Sequence, residues 1–196
     1  MDDCLQIYTK GKFDQNFLKD IYSINQENVP EVGSIESMGK MKELISISSY
    51  HSILLEKDDL IGFSICFREA CPYWSENYKY FKKELDQFLY VDRIAIDEKY
   101  RRKGHAKRMY EDIFNFASND GLVVTAEVNT KPMNPGSLSF HEYMGLKKSG
   151  RDHLMIMMWH ISLPTHLKKT KKLELFLNSN FLILLKALLY QIHNFN

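Results

Sequence analysis

The spacing of hydrophobic and polar residues along the chain predicts alternating strands and helices. Short apolar or alternating runs predict strands over residues 5–8, 51–55, 60–67, 88–96, 122–128 and 154–161. Apolar residues at helical spacing predict helices over residues 14–26 and 35–45, with Asp14 as the cap of the first. The polar run 56–59 predicts a hairpin turn. With two later helices, the order is β-α-α-β-β-β-α-β-α-β, which predicts a mixed α/β (α+β) fold.

The two later helices are marked by their ends as well as by their apolar faces. The first follows Gly104 and stops at residues 119–121. Its apolar positions recur every three or four residues: Ala106, Met109, Tyr110, Ile113, Phe114 and Ala117. The second begins at Asn134 and Pro135, a capping side chain followed by proline at the first helical position, and ends at Gly145. Each helix is therefore expected to lie between two strands.

Residues 70–86 interrupt the alternation between the third and fourth strands. The segment mixes aromatic and polar residues without a clean period, which predicts an inserted loop or a short helix. Its aromatic residues form either a lid over a binding site or a satellite of the core. They are Tyr73, Trp74, Tyr78, Tyr80 and Phe81.

Pro164 separates a domain over residues 1–163 from a C-terminal extension over residues 164–196. The extension is basic first and then leucine-rich, and its composition is compatible with a helix. Polar residues such as Glu174 and Lys186 leave an apolar run too short to span a membrane. Three roles stay open for it. They are packing on the domain or on a second copy of the chain in a homodimer, contact with a membrane surface, and poor order.

The bulk composition narrows the classes of function. Of the 196 residues, 44% are hydrophobic and 26% are charged, which predicts a packed core and not a disordered chain. The formal net charge of +1 gives no overall attraction for nucleic acid, so any basic site must be local. Three cysteines without paired spacing predict reduced thiols, and we expect no metal. The chain starts without a signal-peptide pattern, so we expect a cytoplasmic protein.

A basic segment with one glycine, residues 101–108, follows the fourth strand. The start of a helix presents unpaired backbone N–H groups and the positive end of the helix dipole. Gly104 allows a ligand to approach the backbone closely, so the segment predicts a cradle for a polyanion such as a pyrophosphate. A plain helix entry with surface basic residues is the alternative. The segment lacks the second glycine of a Walker loop and does not match GxGxxG, which disfavours those nucleotide sites.

Two blocks of sequence carry a resemblance to a known family. The segment Arg101-x-x-Gly104-x-Ala106, directly after the strand 90–96, resembles the acetyl-CoA pyrophosphate loop of the GNAT N-acetyltransferase superfamily. Residues 134–146 resemble the family's downstream helix, which an asparagine opens and a Gly-aromatic pair closes. Leu146 stands here in place of the aromatic residue.

Residues 90–93, 127–129 and 140–142 are also similar to a subgroup of predicted bacterial acetyltransferases without an assigned acceptor. The resemblance spans residues 5–161. It implies a mixed, mostly antiparallel central sheet flanked by helices, with acetyl-CoA as cosubstrate.

The resemblance also implies which residues contact the cofactor. Backbone groups of residues 102–107 would hold the pyrophosphate, and Ile94 and Ile96 would pair with the pantetheine arm like an added strand. The full implied set is Ile94, Ala95, Ile96, Arg101, Arg102, Lys103, Gly104, His105, Ala106, Lys107, Asn134, Ser137 and Phe140.

Four side chains are candidates for proton transfer when an amine attacks the thioester. Asp92 and Glu127 are candidate bases on neighbouring strands. An ion pair with Arg93 or a contact with a neighbour's backbone is the structural alternative for Asp92. His141 stands where the family often has a tyrosine acid, and its alternative is packing or capping. Tyr143 is a further candidate acid, on a different side of the same helix.

Two segments are candidates for contact with the acceptor. Tyr73, Trp74 and Tyr78 would roof its pocket, because aromatic walls suit an amine cation. Core filling is the alternative for each of them. The loop after the first helix supplies Asn28 and Glu31.

The sequence therefore predicts an acetyl-CoA-dependent N-acetyltransferase. The acceptor is a primary amine on a small molecule or a protein, and an acyl group longer than acetyl stays open. The alternative is a non-catalytic CoA-binding module that regulates a partner. A nucleic-acid binder is disfavoured, because the chain has near-zero net charge and no recognition-helix pattern.

Overall fold

The computed structural model describes residues 5–9, 17–129, 133–149 and 154–159. Its strands are β1 Leu5–Thr9, β2 Tyr50–Glu56, β3 Asp59–Arg68, β4 Phe88–Ile96, β5 Val123–Asn129, β6 Lys147–Ser149 and β7 Leu154–Trp159. They form one sheet in the order β1-β2-β3-β4-β5-β7-β6. Only β4 and β5 pair in parallel among these strands, and every other pair is antiparallel. The predicted mixed, mostly antiparallel sheet is confirmed.

Five α-helices lie within the described residues. They are α1 Leu18–Glu27, α2 Met38–Ile47, α3 Glu76–Glu84, α4 His105–Asn119 and α5 Pro135–Tyr143. The predicted order is correct for the long elements, and the insertion takes the short-helix form as α3. β6 was not predicted, because three residues are too few to show a period.

Two hydrophobic clusters cover opposite faces of the sheet. Neighbouring strand residues alternate between them: Phe67 and Tyr90 belong to the cluster under α1, α2 and α3, while Cys66 and Val91 belong to the cluster under α4. The central strands are therefore buried on both faces. This explains why their sequences read as continuous apolar runs.

Local capping chemistry decides where the helices begin. α2 starts later than predicted, because the Ser37 side chain accepts a hydrogen bond from the Lys40 N–H at 3.2 Å and caps the helix there. The predicted cap of α5 is confirmed, since Asn134 accepts from the Ser137 N–H at 2.9 Å.

Some predictions fall on residues that the structure does not describe. The cap at Asp14 and every role of the extension 164–196 lie outside the described residues. Within the described part of the chain, we find no helix with the length and apolar character needed to cross a bilayer.

Candidate active site

The parallel strands β4 and β5 separate in the middle of the sheet. Their pairing ends at Val91 and Ala126, although β4 continues to Ile96 and β5 to Asn129. A cavity of about 270 Å³ lies at this split, and Asp92, Ile94 and Glu127 line it. Beyond Val91, the β4 edge that faced β5 is therefore open to an extended ligand.

A β-bulge on β4 decides which way Asp92 points. Ile65 of β3 pairs with Arg93 while Cys66 pairs with Val91, so Asp92 is the extra residue. The bulge breaks the alternation of side chains, and it lets Asp92 and Arg93 meet, with Arg93 Nε 3.1 Å from Asp92 Oδ2. The predicted ion-pair alternative for Asp92 is therefore present in the structure, at the wall of the cavity.

The Asp92 carboxylate has a second partner from the inserted segment. The Tyr73 hydroxyl donates a hydrogen bond to Asp92 Oδ1 at 2.7 Å. The Asp92 side chain is only 8% exposed, and this burial raises its pKa against the opposing effects of Arg93 and Tyr73. The contacts with Arg93 and Tyr73 therefore fix the Asp92 carboxylate and leave it little freedom to reach a substrate.

Glu127 lines the same cavity and is half-buried. Burial is the main cause that raises its pKa to about 7, and the negative charge of Asp92 adds to it. Tyr90 Oη lies 3.4 Å from Glu127 Oε2, and the Asn77 side chain of α3 also stabilises the charged form. A carboxylate with a pKa near neutrality is suited to accept a proton from an amine.

His141 is buried at the cavity wall, with both ring nitrogens engaged. Its Nδ1 lies 2.7 Å from the Ser137 carbonyl oxygen, so that nitrogen carries the proton. Nε2 then accepts from the Tyr110 hydroxyl at 2.7 Å. Burial lowers the pKa of His141, which favours the neutral ring. This arrangement suits the packing alternative better than a proton donor.

The other candidate acid lies elsewhere on α5. Tyr143 is 69% exposed, and its ring centre is 6.0 Å from Lys107 Nζ. It is not among the described residues that line the cavity.

The basic loop builds an open helix N-terminus. Arg102 and Gly104 have positive φ of 65° and 84°, and α4 begins at His105. A Cβ placed on Gly104 would meet nothing within 4 Å, so space for a ligand lies against this backbone. The N–H groups of the first turn have no partner within the helix and are available to an anion.

The side chains of this loop are less uniform than its backbone. Arg102, Lys103 and Lys107 are exposed. His105 is buried and lies 3.8 Å from the Glu56 carboxylate. Arg101 donates to Asn28 Oδ1 at 2.8 Å and to the Ile96 carbonyl at 3.3 Å.

The remaining predicted cofactor residues divide between the cavity and the core. Ile94, Asn134 and Ser137 line the cavity. Ala95 and Ile96 are buried, and Phe140 packs edge-on against Tyr110 at 5.6 Å.

The predicted acceptor residues also divide. Asn28 and Glu31 line the cavity beside Asp92. Tyr73 is buried and stacks on Phe67 at 4.1 Å, while Trp74 is 54% exposed at a second cavity. Tyr78 is fully buried, and its hydroxyl donates to the carbonyls of Arg68 at the end of β3 and of Cys71 in the inserted segment, which is the core-filling alternative.

Three contributors to the site were missed from the sequence. The sequence pattern places Tyr110 on the apolar face of its helix and gives no indication of a role for Asn77. Asn25 is a fully buried amide whose Oδ1 accepts a hydrogen bond from Arg93 at 2.8 Å. A polar residue at a buried helical position was the one signal that could have identified Asn25.

The charged side chains that line the cavity are all acidic in the described residues: Glu31, Asp92 and Glu127. The same described ranges bring together no group of three His, Cys, Asp or Glu residues suited to a metal ion.

Solved structures with this fold are numerous. A Pyrococcus horikoshii protein is 21% identical with a TM-score of 0.61, and the match covers 81% of this chain and 99% of that one. The Escherichia coli ribosomal-protein-S18-alanine N-acetyltransferase is 16% identical with a TM-score of 0.59, covering 85% and 98%. Arabidopsis thaliana NAA60 in complex with acetyl-CoA is 13% identical with a TM-score of 0.63, covering 80% and 98%. At these identities the likeness shows the fold.

Sequence comparison identifies the family. No curated protein gave a significant sequence match. The profile of the Acetyltransferase (GNAT) family matches residues 18–146, which is more than half of the chain and includes the loop, the strand split and α5. The chain belongs to the GNAT family of acetyltransferases.

Proposed function

We propose that the protein is an acetyl-CoA-dependent N-acetyltransferase that acts on a cationic primary amine. The observation that carries the proposal is the split between β4 and β5, which holds Glu127 at the wall of a cavity. The basic loop follows β4 and Glu127 lies on β5, so the two strands of the split carry the anion cradle and the carboxylate.

The residues present fit acetyl-CoA. Gly104 leaves open space against the backbone where α4 begins, which suits a pyrophosphate, and exposed Arg102, Lys103 and Lys107 add positive charge. The open edge of β4 suits the amide groups of the pantetheine arm. When bound, acetyl-CoA supplies an activated acetyl thioester. Two of the structural neighbours, NAA60 and an aminoglycoside N-acetyltransferase, are complexes with acetyl-CoA or CoA.

Glu127 is the proposed general base. Glu127 would take one proton from the ammonium form of the acceptor, directly or through water, so that the nitrogen gains a free electron pair. The neutral nitrogen would then bond to the acetyl carbon as the carbon–sulfur bond breaks, and its second proton would pass to water. The Glu127 pKa of about 7 keeps a large fraction of this carboxyl ionised near neutral pH. The leaving thiolate takes its proton from water, since the buried neutral His141 is a poor donor.

The acceptor carries positive charge and no carboxylate beside its amine. Glu31, Asp92 and Glu127 give the described cavity wall a negative character, which attracts an ammonium group and repels an acid. Structural neighbours include enzymes for a ribosomal-protein alanine and for aminoglycosides, so this fold serves both protein and small-molecule amines. We assign the reaction to the cytoplasm, because the free thiols of Cys66 and Cys71 fit a reducing compartment.

The test is thiol release from acetyl-CoA against a panel of amines, run beside a CoA binding titration. The panel pairs each polyamine or amino sugar with an amino acid of similar size. Turnover with the cationic members, lost in Gly104→Glu, would establish the proposal. CoA binding without turnover across the panel would favour a regulatory CoA-binding module. Absence of CoA binding would overturn the cofactor assignment.

A further inference from the structure

The loop after α1, residues 28–35 (here the acceptor-facing loop), forms one wall of the cavity. Asn28, Pro30, Glu31 and Val32 contribute to that wall. The loop has no regular secondary structure, so its shape depends on specific hydrogen bonds.

Amide side chains at the end of α1 hold the loop from one side. Gln26 Oε1 accepts from the Ile35 N–H at 3.0 Å, and Asn25 Nδ2 donates to the Gly33 carbonyl at 3.2 Å. The Asn28 carbonyl accepts from the Val32 N–H at 3.0 Å. These bonds close the loop onto the helix.

Two arginines hold it from the other side, and they come from different places. Arg93 of β4 donates to the Gly33 carbonyl and, at 2.8 Å, to Asn25 Oδ1. Arg101 of the basic loop donates to Asn28 Oδ1 at 2.8 Å, while Asn28 Nδ2 donates to the Ile24 carbonyl at 2.8 Å. Asn28 is 9% exposed, so its amide depends on these partners.

Arg101 also donates through Nε to the Ile96 carbonyl, the last residue of β4. One guanidinium therefore spans the end of β4 and the end of α1. Two of the three guanidinium nitrogens are thereby committed to protein acceptors. The family resemblance implies that Arg101 contacts the cofactor. Its observed hydrogen bonds go instead to Asn28 of the acceptor-facing loop and to the Ile96 carbonyl.

We propose that Arg101 is a positioning residue that links the basic loop to the acceptor-facing loop and does not itself bind phosphate. The coupling part rests on the proposed function, because it needs CoA to bind at the loop of residues 101–107. Binding of an anion at the start of α4 would fix the loop that carries Arg101. Arg101 would then fix Asn28 and the wall beside Glu31. The cofactor would thus prepare the acceptor site.

The test uses the full chain, with CoA as the probe and the amides of Val32 and Ile35 as reporters. Both amides are hydrogen-bonded within the loop, so their hydrogen exchange reports its opening. CoA should slow their exchange in the wild type. In Arg101→Lys, exchange without CoA should rise by about tenfold and the slowing by CoA should vanish, because lysine lacks the planar fork with which Nε and Nη2 of Arg101 hold two acceptors at fixed positions.

The same variant separates the two roles of Arg101. CoA affinity of Arg101→Lys should stay within about twofold, since the backbone cradle and exposed cations remain. The matched control is Arg102→Lys, the same change at the next residue, which should leave exchange at Val32 and Ile35 as in the wild type. Asn28→Ala should reproduce the exchange effect, and combining it with Arg101→Lys should add nothing further.

A large loss of CoA affinity with unchanged exchange in Arg101→Lys would overturn the proposal and restore Arg101 as a phosphate ligand. CoA that binds the wild type without slowing these amides would overturn the coupling. If CoA fails to bind the wild type, the proposed function fails, and exchange without CoA still decides whether Arg101 holds the loop. Thermal melts of each variant establish that the compared proteins are folded.

Discussion

The basic loop follows β4, and the carboxylates of Asp92 and Glu127 lie on β4 and β5, yet the two regions are built differently. The loop is exposed, and the groups that we propose bind phosphate are backbone N–H groups at the start of α4. Asp92 is buried and Glu127 is half-buried, and their protonation depends on side chains from β4, β5 and the inserted segment. A site made of backbone groups is determined by the local sequence. The pKa of a carboxylate in the interior is determined by its burial and by the charges and hydrogen bonds of residues distant in the chain.

The largest expected effect is a loss of CoA affinity when the backbone site at Gly104 is blocked. Gly104→Glu should lower CoA affinity by roughly 100-fold or more, because its carboxylate would occupy the open space at the start of α4. The positive φ of 84° adds strain, which Gly104→Ala measures separately. Calorimetric titration with CoA gives the affinities. If Arg102→Glu, a larger charge change, weakened binding more, the cradle would be built by side chains instead.

Glu127→Gln should remove the proposed general base and leave the CoA site at the basic loop intact. We expect kcat to fall by about 10²–10⁴, the usual contribution of a general base, with CoA affinity unchanged. Thiol release with the amine identified by the panel gives the rates. Glu31→Gln is the matched control, since Glu31 lines the same cavity but is exposed, and it should change KM for the amine more than kcat. Equal kcat for wild type and Glu127→Gln would remove Glu127 from the mechanism.

The pH dependence of the reaction rate tests whether Glu127 is the carboxylate that titrates. The rate should rise with pH through about 7 as Glu127 loses its proton. Asp92→Asn should move this rise in rate to lower pH, because the negative charge of Asp92 raises the pKa of Glu127 and the variant removes it. Arg93, Tyr73 and Tyr90 also face Asp92, so the pH at the midpoint is more informative than the rate itself. If the rate of Asp92→Asn rises at the same pH as that of the wild type, a group other than Glu127 controls the rate.

The same shift predicts how stability depends on pH. The pKa of Glu127 is raised above its ordinary value of 4.5, so the folded state holds the proton more tightly than the unfolded chain. Its contribution to the free energy of unfolding is fully present below 4.5 and is lost as pH rises to about 7. Thermal melts across this range should show the loss in the wild type and less of it in Glu127→Gln. Identical pH profiles would contradict the raised pKa.

The smallest expected effect concerns His141. His141→Gln should lower kcat by less than about threefold while costing about 1 kcal/mol of stability, because a buried hydrogen bond to Tyr110 is weakened. Tyr110→Phe is the companion variant, since it deletes the same bond from the other partner. A hundredfold loss of kcat in His141→Gln, with a changed alkaline limb, would instead make His141 the acid.

Most of the fold could be predicted, because the long elements carry their own periods. The strand Phe88–Ile96 and the cap at Asn134 follow from local patterning and capping chemistry. The insertion was harder, since α3 places only Tyr78 and Phe81 in the core and shows little period. β6 is too short to be detected.

The site divides in the same way. The sequence alone determined the glycine loop and the helix that follows it, because neighbours along the chain set a backbone conformation. It also supplied Asp92, Glu127 and His141 as candidates. Only the tertiary structure decided what those residues can do. A bulge paired Asp92 with Arg93, burial moved the pKa of Glu127 to about 7, and Tyr110 engaged His141. Solvation and charge partners come from residues distant in the chain, and no local pattern encodes them.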